Sequence, residues 1–151
     1  MMKAIVAGCL AVVAIVYLAG CGPSSQYLQD GKLKQTIDDV NTNDKYVIGM
    51  GIGAAPKDST DATQRKASSR NAAIVAAQYE LVSRLKGVKI EGGVTVEKAM
   101  ETDSKIKATV DDTIRGAEIV KTEWTSDDGC IVTLRLDKQG LAKQLGVKFE
   151  N

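Results

Sequence analysis

The residue constellations that usually carry enzyme chemistry are missing from this sequence. The chain contains no histidine, which excludes serine–histidine and cysteine–histidine nucleophiles and most zinc sites. The pairs Asp111-Asp112 and Asp127-Asp128 are acidic, but neither has the ligand spacing of a calcium loop. A solvated helix side and a turn explain them. We therefore expect no catalysis, no bound metal and no cofactor. An enzyme that works through carboxylates is the remote alternative.

Gly49, Gly51 and Gly53 alternate with apolar residues in the run 45–53. Their spacing differs from that of a dinucleotide-binding loop, and the next predicted helix begins too far away to meet a pyrophosphate. The alternation is instead typical of a half-buried strand. We expect the glycines to face away from the long helix that follows, with glycines under that helix as the alternative. The predicted core side of the strand is Tyr46, Ile48, Met50 and Ile52.

Cys21 ends the tetrapeptide Leu-Ala-Gly-Cys (residues 18–21), which follows Lys3 and an uncharged run over 4–18. A short positive region before an apolar run is the pattern of a secretory signal. The tetrapeptide matches the lipobox of bacterial lipoproteins, which implies a diacylglyceryl thioether and usually an N-acyl group such as palmitate. We predict cleavage between Gly20 and Cys21. An ordinary signal peptide or an anchor helix with a chance cysteine is the alternative.

The predicted organisation is a signal peptide over 1–20, a flexible tether over 21–44 and one domain over 45–151. Without Lys3, basic and acidic residues are equal in number. That balance argues against nucleic acid as a partner and against a polybasic membrane patch. Gly22 follows the cysteine, which under the familiar sorting rule favours the outer membrane. We expect the protein to face the periplasm.

Cys130 is the only unmodified cysteine of the predicted mature chain, so no internal disulfide is expected. Its place in an alternating strand favours a small buried hydrophobe over a reactive thiol. Arg70 is interpreted as a stem packed on the core, rather than as a ligand-binding group. Trp124 is interpreted as a core or sheet-edge residue.

The sequence predicts one long helix that begins at Asp61 and ends at Gly87. This helix would carry the candidate interaction surface of the domain. Asp61 and Gln64 have capping-box spacing, and no glycine or proline interrupts the segment. The predicted core stripe is Thr63, Ala67, Arg70, Ile74, Ala77, Leu81 and Leu85. The opposite side is apolar where a solvated helix normally carries charge. This patch, a candidate interaction surface, is Ala72, Val75, Ala76 and Tyr79.

Two covers for this patch are open. The first is internal: the segment around Leu33 and Ile37, or the final helix through Leu141 and Leu145, folds over it. The second is another copy of the chain, in a homo-oligomer, or an unidentified envelope protein, since exposed apolar patches usually mark contacts. We favour the internal cover slightly.

The segment 88–97 alternates and predicts a second strand, softened by a bulge at Gly92-Gly93. After it, 102–104 can cap a short helix that ends before Gly116. Its apolar residues are Ile106, Val110 and Ile114.

The segments 117–125 and 130–136 predict a β-hairpin around the turn 126–129. Asp137 then caps a final helix, which Gly146 ends. The element order is strand, helix, strand, short helix, strand, strand, helix. The fold class is therefore α+β: a small, mainly antiparallel sheet of three to four strands with the long helix across one face.

Four stretches carry a family resemblance in a consistent order. They are Ile48-Gly-Met-Gly51, the helix end 81–85, the run 114–120 and, most clearly, 124–137. Together they resemble the LPP-type small bacterial lipoproteins, named for a twenty-kilodalton outer-membrane lipoprotein. The sequence departs from that family at Cys130, where tyrosine is more frequent.

The resemblance implies a lipid-anchored envelope protein with a structural or protein-interaction role and no established catalysis. The fold is also similar to the amino-terminal domain of flagellar assembly protein T. That similarity implies, as the alternative, a flagellar or basal-body accessory role, and a fold alone does not decide between the two.

Overall fold

The computed structural model describes residues 27–33 and 45–150. The predicted signal 1–20, the lipidation site Cys21 and all of the predicted tether except 27–33 lie outside the described residues. The described elements are β1 Leu28–Gln29, β2 Lys32–Leu33, β3 Tyr46–Gly53, α1 Ala62–Lys86, β4 Lys89–Ile90, β5 Val94–Thr95, α2 Val96–Thr102, α3 Ser104–Arg115, β6 Glu118–Trp124, β7 Cys130–Asp137 and α4 Lys138–Leu145.

Three antiparallel strands form the main sheet in the order β3–β7–β6, with β7 in the centre. The residues of β7 are buried on both faces along most of the strand, which agrees with its central position in the sheet. α1 crosses one face of this sheet. The predicted α+β class, with a long helix over a small antiparallel sheet, is confirmed, as is the β6–β7 hairpin.

Polar and flexible residues set the two ends of α1. Asp61 is the N-cap, since its carboxylate accepts a hydrogen bond from the Gln64 amide at 2.7 Å. Gly87 ends the helix as predicted, and Arg84 and Lys86 occupy the last turn, where cations are favourable. The buried line of α1 is Ser69, Ala73, Ala77, Leu81 and Leu85.

The predicted core stripe of α1 is wrong only at its start, where the helix extends past the sheet. The helix reaches the end of β3 at Ser69, whose carbonyl lies over Gly53. The first two helical turns of α1 extend past the sheet towards the loop that joins β6 and β7. Few side chains of these two helical turns are therefore buried. The misassigned residues are Thr63 and Ala67, which are exposed. Arg70 is half-buried, and Ile74 is partly buried and packs against the core as predicted.

The glycines of β3 lie under α1, so the predicted orientation of this strand is wrong. Val47 and the three glycines are buried against the helix. A Cβ added at Gly49 would lie 2.6 Å from the Ala77 carbonyl oxygen, and one at Gly51 would overlap the Ala73 carbonyl. Only glycine lets the helix backbone approach the strand this closely. The residues found instead on the other face are Tyr46, Ile48, Met50 and Ile52.

The hairpin of β1 and β2 lies against that other face of the sheet, near β6. The Ser126 amide donates a hydrogen bond to the Gly31 carbonyl at 2.8 Å. Lys121 Nζ lies 5.9 Å from the centroid of the Tyr27 ring, which is buried. The domain therefore takes part of its second layer from a segment that the sequence assigned to the tether.

A small hairpin and a helix replace the predicted second strand over 88–97. β4 and β5 pair with each other, and Gly92 and Gly93 form the turn between them with φ of +104° and +78°. Two successive positive φ values reverse the chain, so the predicted bulge within one strand is wrong. Thr95 then caps α2, because its hydroxyl accepts a hydrogen bond from the Lys98 amide.

The last two predicted helices are confirmed together with their caps. Asp103 caps α3, and Asp137 caps α4. Gly146 ends α4 in the left-handed region, at φ +68°. The Ala142 carbonyl accepts a hydrogen bond from the Val147 amide at 3.0 Å, which completes a Schellman motif and turns the chain back along the helix.

Candidate interaction site

The side of α1 that faces away from the sheet carries two large apolar side chains in the open. Val75 is 49% exposed and Tyr79 is 73% exposed, one turn further along. Ala72 beside them is exposed, and Ala76 is half-buried. A helix that packs on a sheet normally presents polar residues on this side. The structure thus places the four residues of the candidate surface together on one outward side of α1.

α3 lies beside this patch and turns it into a groove of about 390 Å³, the α1–α3 groove. Ile114 of α3 is buried, whereas Asp111 and Arg115 place opposite charges at the rim. The residues that line the groove include Val75, Tyr79, Val82, Asp111, Ile114 and Arg115. Sequence reasoning missed the α3 contribution, because contact between two separate helices leaves no local pattern.

Neither predicted internal cover lies over the patch in the part of the chain that the structure describes. Leu141 and Leu145 pack into the core, with α4 against α3 and β3. Leu33 belongs to the hairpin joined to Ser126, on the sheet face opposite α1. Ile37 lies outside the described residues. The preference for an internal cover through Leu33 or the final helix is therefore corrected.

Cys130 is a free, buried cysteine under α1. Burial raises the pKa of its thiol, and the nearby charge of Arg70 lowers that pKa by less. An enclosed, protonated thiol is a poor nucleophile, so Cys130 packs as the small hydrophobe that the sequence predicts. Trp124 stands on the edge strand β6, with Lys66 Nζ 5.7 Å from the centroid of its ring.

The acidic pair at 127–128 fastens the β6–β7 turn to α1. Asp128 forms an ion pair with Arg65 at 3.0 Å, and its carbonyl accepts a hydrogen bond from the buried Ser69 hydroxyl at 2.7 Å. The Thr125 hydroxyl donates to the Asp127 carboxylate and lowers the pKa of that group. These contacts agree with a structural turn.

No group of three or more histidine, cysteine, aspartate or glutamate side chains within 27–33 and 45–150 could hold a metal ion. No helix in the same ranges is long and apolar enough to cross a membrane.

The fold and surface define a small α+β domain with a close-packed core and one open helix side. The chain belongs to the LPP20 lipoprotein family, whose model matches residues 36–137. This confirms the resemblance carried by the motifs and makes the protein a lipoprotein of the cell envelope. A search of curated proteins finds no match. Cys21 lies outside the matched residues, so its lipid stays a prediction, as does the similarity to flagellar assembly protein T.

Proposed function

We propose that this protein is an outer-membrane lipoprotein, anchored by lipid on Cys21, that holds an envelope protein through the α1–α3 groove and performs no catalysis. The lipobox and the family membership support the anchor. Two or more acyl chains hold a protein firmly, because each buried CH₂ contributes about 0.8 kcal/mol. The domain then works at the periplasmic surface of that membrane.

The observation that carries the interaction role is the exposure of Tyr79 beside Val75 in a shaped groove. Tyrosine is enriched at protein interfaces because its ring buries a large area while few side-chain torsions are lost. Val82 and Ile114 extend the apolar lining, and Asp111 and Arg115 supply a polar rim. An apolar centre with a charged rim is the usual anatomy of a protein interface.

The chemistry of the rim favours a protein occupant over a lipid surface. Asp111 and Arg115 carry opposite charges, so the rim is neutral. A helix that lies on a membrane normally presents lysine and arginine beside its apolar side. We therefore assign the groove to an apolar segment of an envelope protein.

The test is to replace Val75 with lysine in the lipidated protein. Because Val75 is about half exposed, the variant should melt within about 0.5 kcal/mol of wild type. It should nevertheless lose the protein that copurifies with wild type from detergent extracts. Ser68→Lys adds the same charge to an exposed position of α1 about 10 Å away and should keep the partner.

Light scattering on the purified protein separates the two classes of partner. A wild-type dimer that Val75→Lys dissociates would mean that the groove binds a second copy of this chain instead. A Val75→Lys variant with unchanged stability, mass and partners would show that the groove has no interaction role. The identity of the copurified protein decides the flagellar alternative, which requires a basal-body component.

A further inference from the structure

A second groove lies at the far end of the chain, between α4 and the residues that follow it. The Schellman turn at Gly146 folds 147–149 back along α4, and the Glu91 amide holds this segment by donating to the Lys148 carbonyl at 2.8 Å. This groove is open to solvent and has a volume of about 590 Å³. We name it the lysine groove; its lining includes Lys138, Lys143, Lys148, Ala142, Val147 and Phe149.

Lys138 is the unusual member of this groove. Its side chain lines the groove, yet the residue is only 8% exposed. Lysine is almost never buried without a partner. Among the described residues, the side chains of Lys138 and Lys143 form no ion pair and no hydrogen bond. The Lys138 stem is buried while its Nζ reaches the solvent of the groove. An ammonium group there without a protein partner can bind an anion.

The acidic groups near this groove do not neutralise it. Glu91 comes within 3.9 Å of Lys148, but the two side chains are 70% and 82% exposed, and such solvated pairs are weak. Glu150 accepts a hydrogen bond from the Gly93 amide at 3.2 Å. Two lysines therefore remain without a carboxylate partner, and a third has only a solvated one.

The ligand of this groove must combine an anionic group with an apolar part, because Ala142, Val147 and Phe149 lie among the ammonium groups. The position of the anchor suggests where such a ligand is found. Tyr27 packs on the sheet six residues after Cys21, so lipid on Cys21 would hold the domain within roughly 20 Å of the bilayer. Phospholipids are the amphiphiles at highest concentration there.

We propose that the lysine groove binds the phosphate headgroup of an anionic phospholipid in the membrane that anchors the protein. Lys138, Lys143 and Lys148 contact the headgroup phosphate, and Phe149 and Val147 contact the glycerol and the first acyl carbons. The neutral net charge of the predicted mature chain gave no sign of this site, because the fold brings together lysines that are separated along the sequence. The inference rests on the lipid anchor of the proposed function, but not on the α1–α3 groove.

The test uses the lipidated protein in vesicles, with an environment-sensitive fluorophore on Gln139→Cys. Gln139 is exposed at the groove, whereas Cys130 is buried and should not react. One set of vesicles contains phosphatidylglycerol in phosphatidylcholine, and the other contains phosphatidylcholine alone. Both carry a quencher on a trace of headgroups. We expect strong quenching only in the anionic vesicles.

The lysines should contribute separately. Each lysine near an anionic surface is worth about a fivefold change in the ratio of docked to undocked protein. Lys143→Gln and Lys148→Gln, both at exposed positions, should each lower that ratio by about this factor. Lys107→Gln removes the same charge from an exposed position of α3 outside the groove and should change nothing. Tyr79→Ala should also leave the quenching intact.

Equal quenching in the two kinds of vesicle would overturn the proposal. So would an equal loss in Lys143→Gln and Lys107→Gln, which would indicate attraction by net charge alone. Failure of the anchor gives a different result, because protein without lipid would not float with vesicles of phosphatidylcholine alone. If the groove does not bind lipid headgroups, the protein floats normally with the vesicles but its fluorophore is not quenched.

Discussion

Replacing Gly49 with alanine tests the close approach of α1 to β3. The added Cβ would lie 2.6 Å from the Ala77 carbonyl oxygen and 2.8 Å from Leu81 Cγ. Carbon–oxygen contacts normally lie at about 3.3–3.6 Å, so the helix must retreat by roughly 0.8 Å. The Ala77 oxygen belongs to the backbone and cannot rotate away. Relief therefore requires α1 to separate from the sheet.

The expected cost follows from two opposing effects. Overpacking of a core costs about 1–3 kcal/mol. An alanine also restricts the unfolded chain, which offsets about 0.4–1 kcal/mol. Gly49→Ala should therefore lose about 1–2 kcal/mol in a urea melt followed by far-ultraviolet circular dichroism. Gly51→Ala should lose more, because its Cβ would overlap the Ala73 carbonyl.

Gly87 provides the matched control for this series. A Cβ there would meet only the Arg84 carbonyl oxygen, at 3.7 Å, and the residue already has helical φ and ψ. Gly87→Ala should leave the free energy of unfolding unchanged or slightly raised. If Gly51→Ala also melted like wild type, the glycines could not lie under α1, and the strand would face the other way.

Three further predictions concern single side chains. Cys21→Ser should leave an uncleaved or mislocalised precursor without fatty-acid label; normal processing would refute the lipobox. Ser69→Ala, which removes the donor to the Asp128 carbonyl, should cost about 1–2 kcal/mol, whereas exposed Ser68→Ala should not alter the melt. The Cys130 thiol should resist alkylation until the protein unfolds. Because the pKa of this thiol is raised in the folded protein, its contribution to stability is complete below the usual pKa of 9.0 and is lost as the pH rises towards the folded pKa. An increase in the free energy of unfolding above pH 9.0 would contradict the burial of Cys130.

Helix ends could be predicted from the sequence because caps are local chemistry. Asp61, Asp103 and Asp137 each precede a helical pattern, and each accepts hydrogen bonds from amides of the first turn. Gly146 ends α4 because only a residue that tolerates positive φ can close a Schellman motif. Neighbours along the chain decide these features, so no knowledge of the fold is needed.

The orientation of β3 could not be predicted from hydrophobicity, because its large apolar residues lie half-buried on the face away from α1 while glycines fill the close contact with the helix. Tyr46, Ile48 and Met50 have the side chains of a core face, yet they lie on the sheet face away from α1. Tyr27 packs beside Lys121 on that same face. The small residues of both elements could have predicted the orientation of β3. Glycines occupy every second position of the strand, and Ala73 and Ala77 lie on the buried line of the helix. Small residues on both partners indicate that two backbones touch.

The candidate surface could be predicted only in part. Val75 and Tyr79 stand out on the helical projection, because their side is apolar without being needed for the core. Val82, Ile114 and Arg115 join them only through the packing of α3 on α1. The lysine groove could not be predicted from the sequence either, because it forms only when the turn at Gly146 brings the following residues against α4.

The most direct test of the account places a photo-crosslinking amino acid at Tyr79 in living cells. The lipidated protein should form one discrete adduct with an envelope protein. The same probe at Lys57, an exposed loop position, should form none. The adduct should weaken when Cys21→Ser removes the anchor. Absence of any adduct at Tyr79, or equal adducts from Tyr79 and Lys57, would contradict a lipoprotein that holds its partner through the α1–α3 groove.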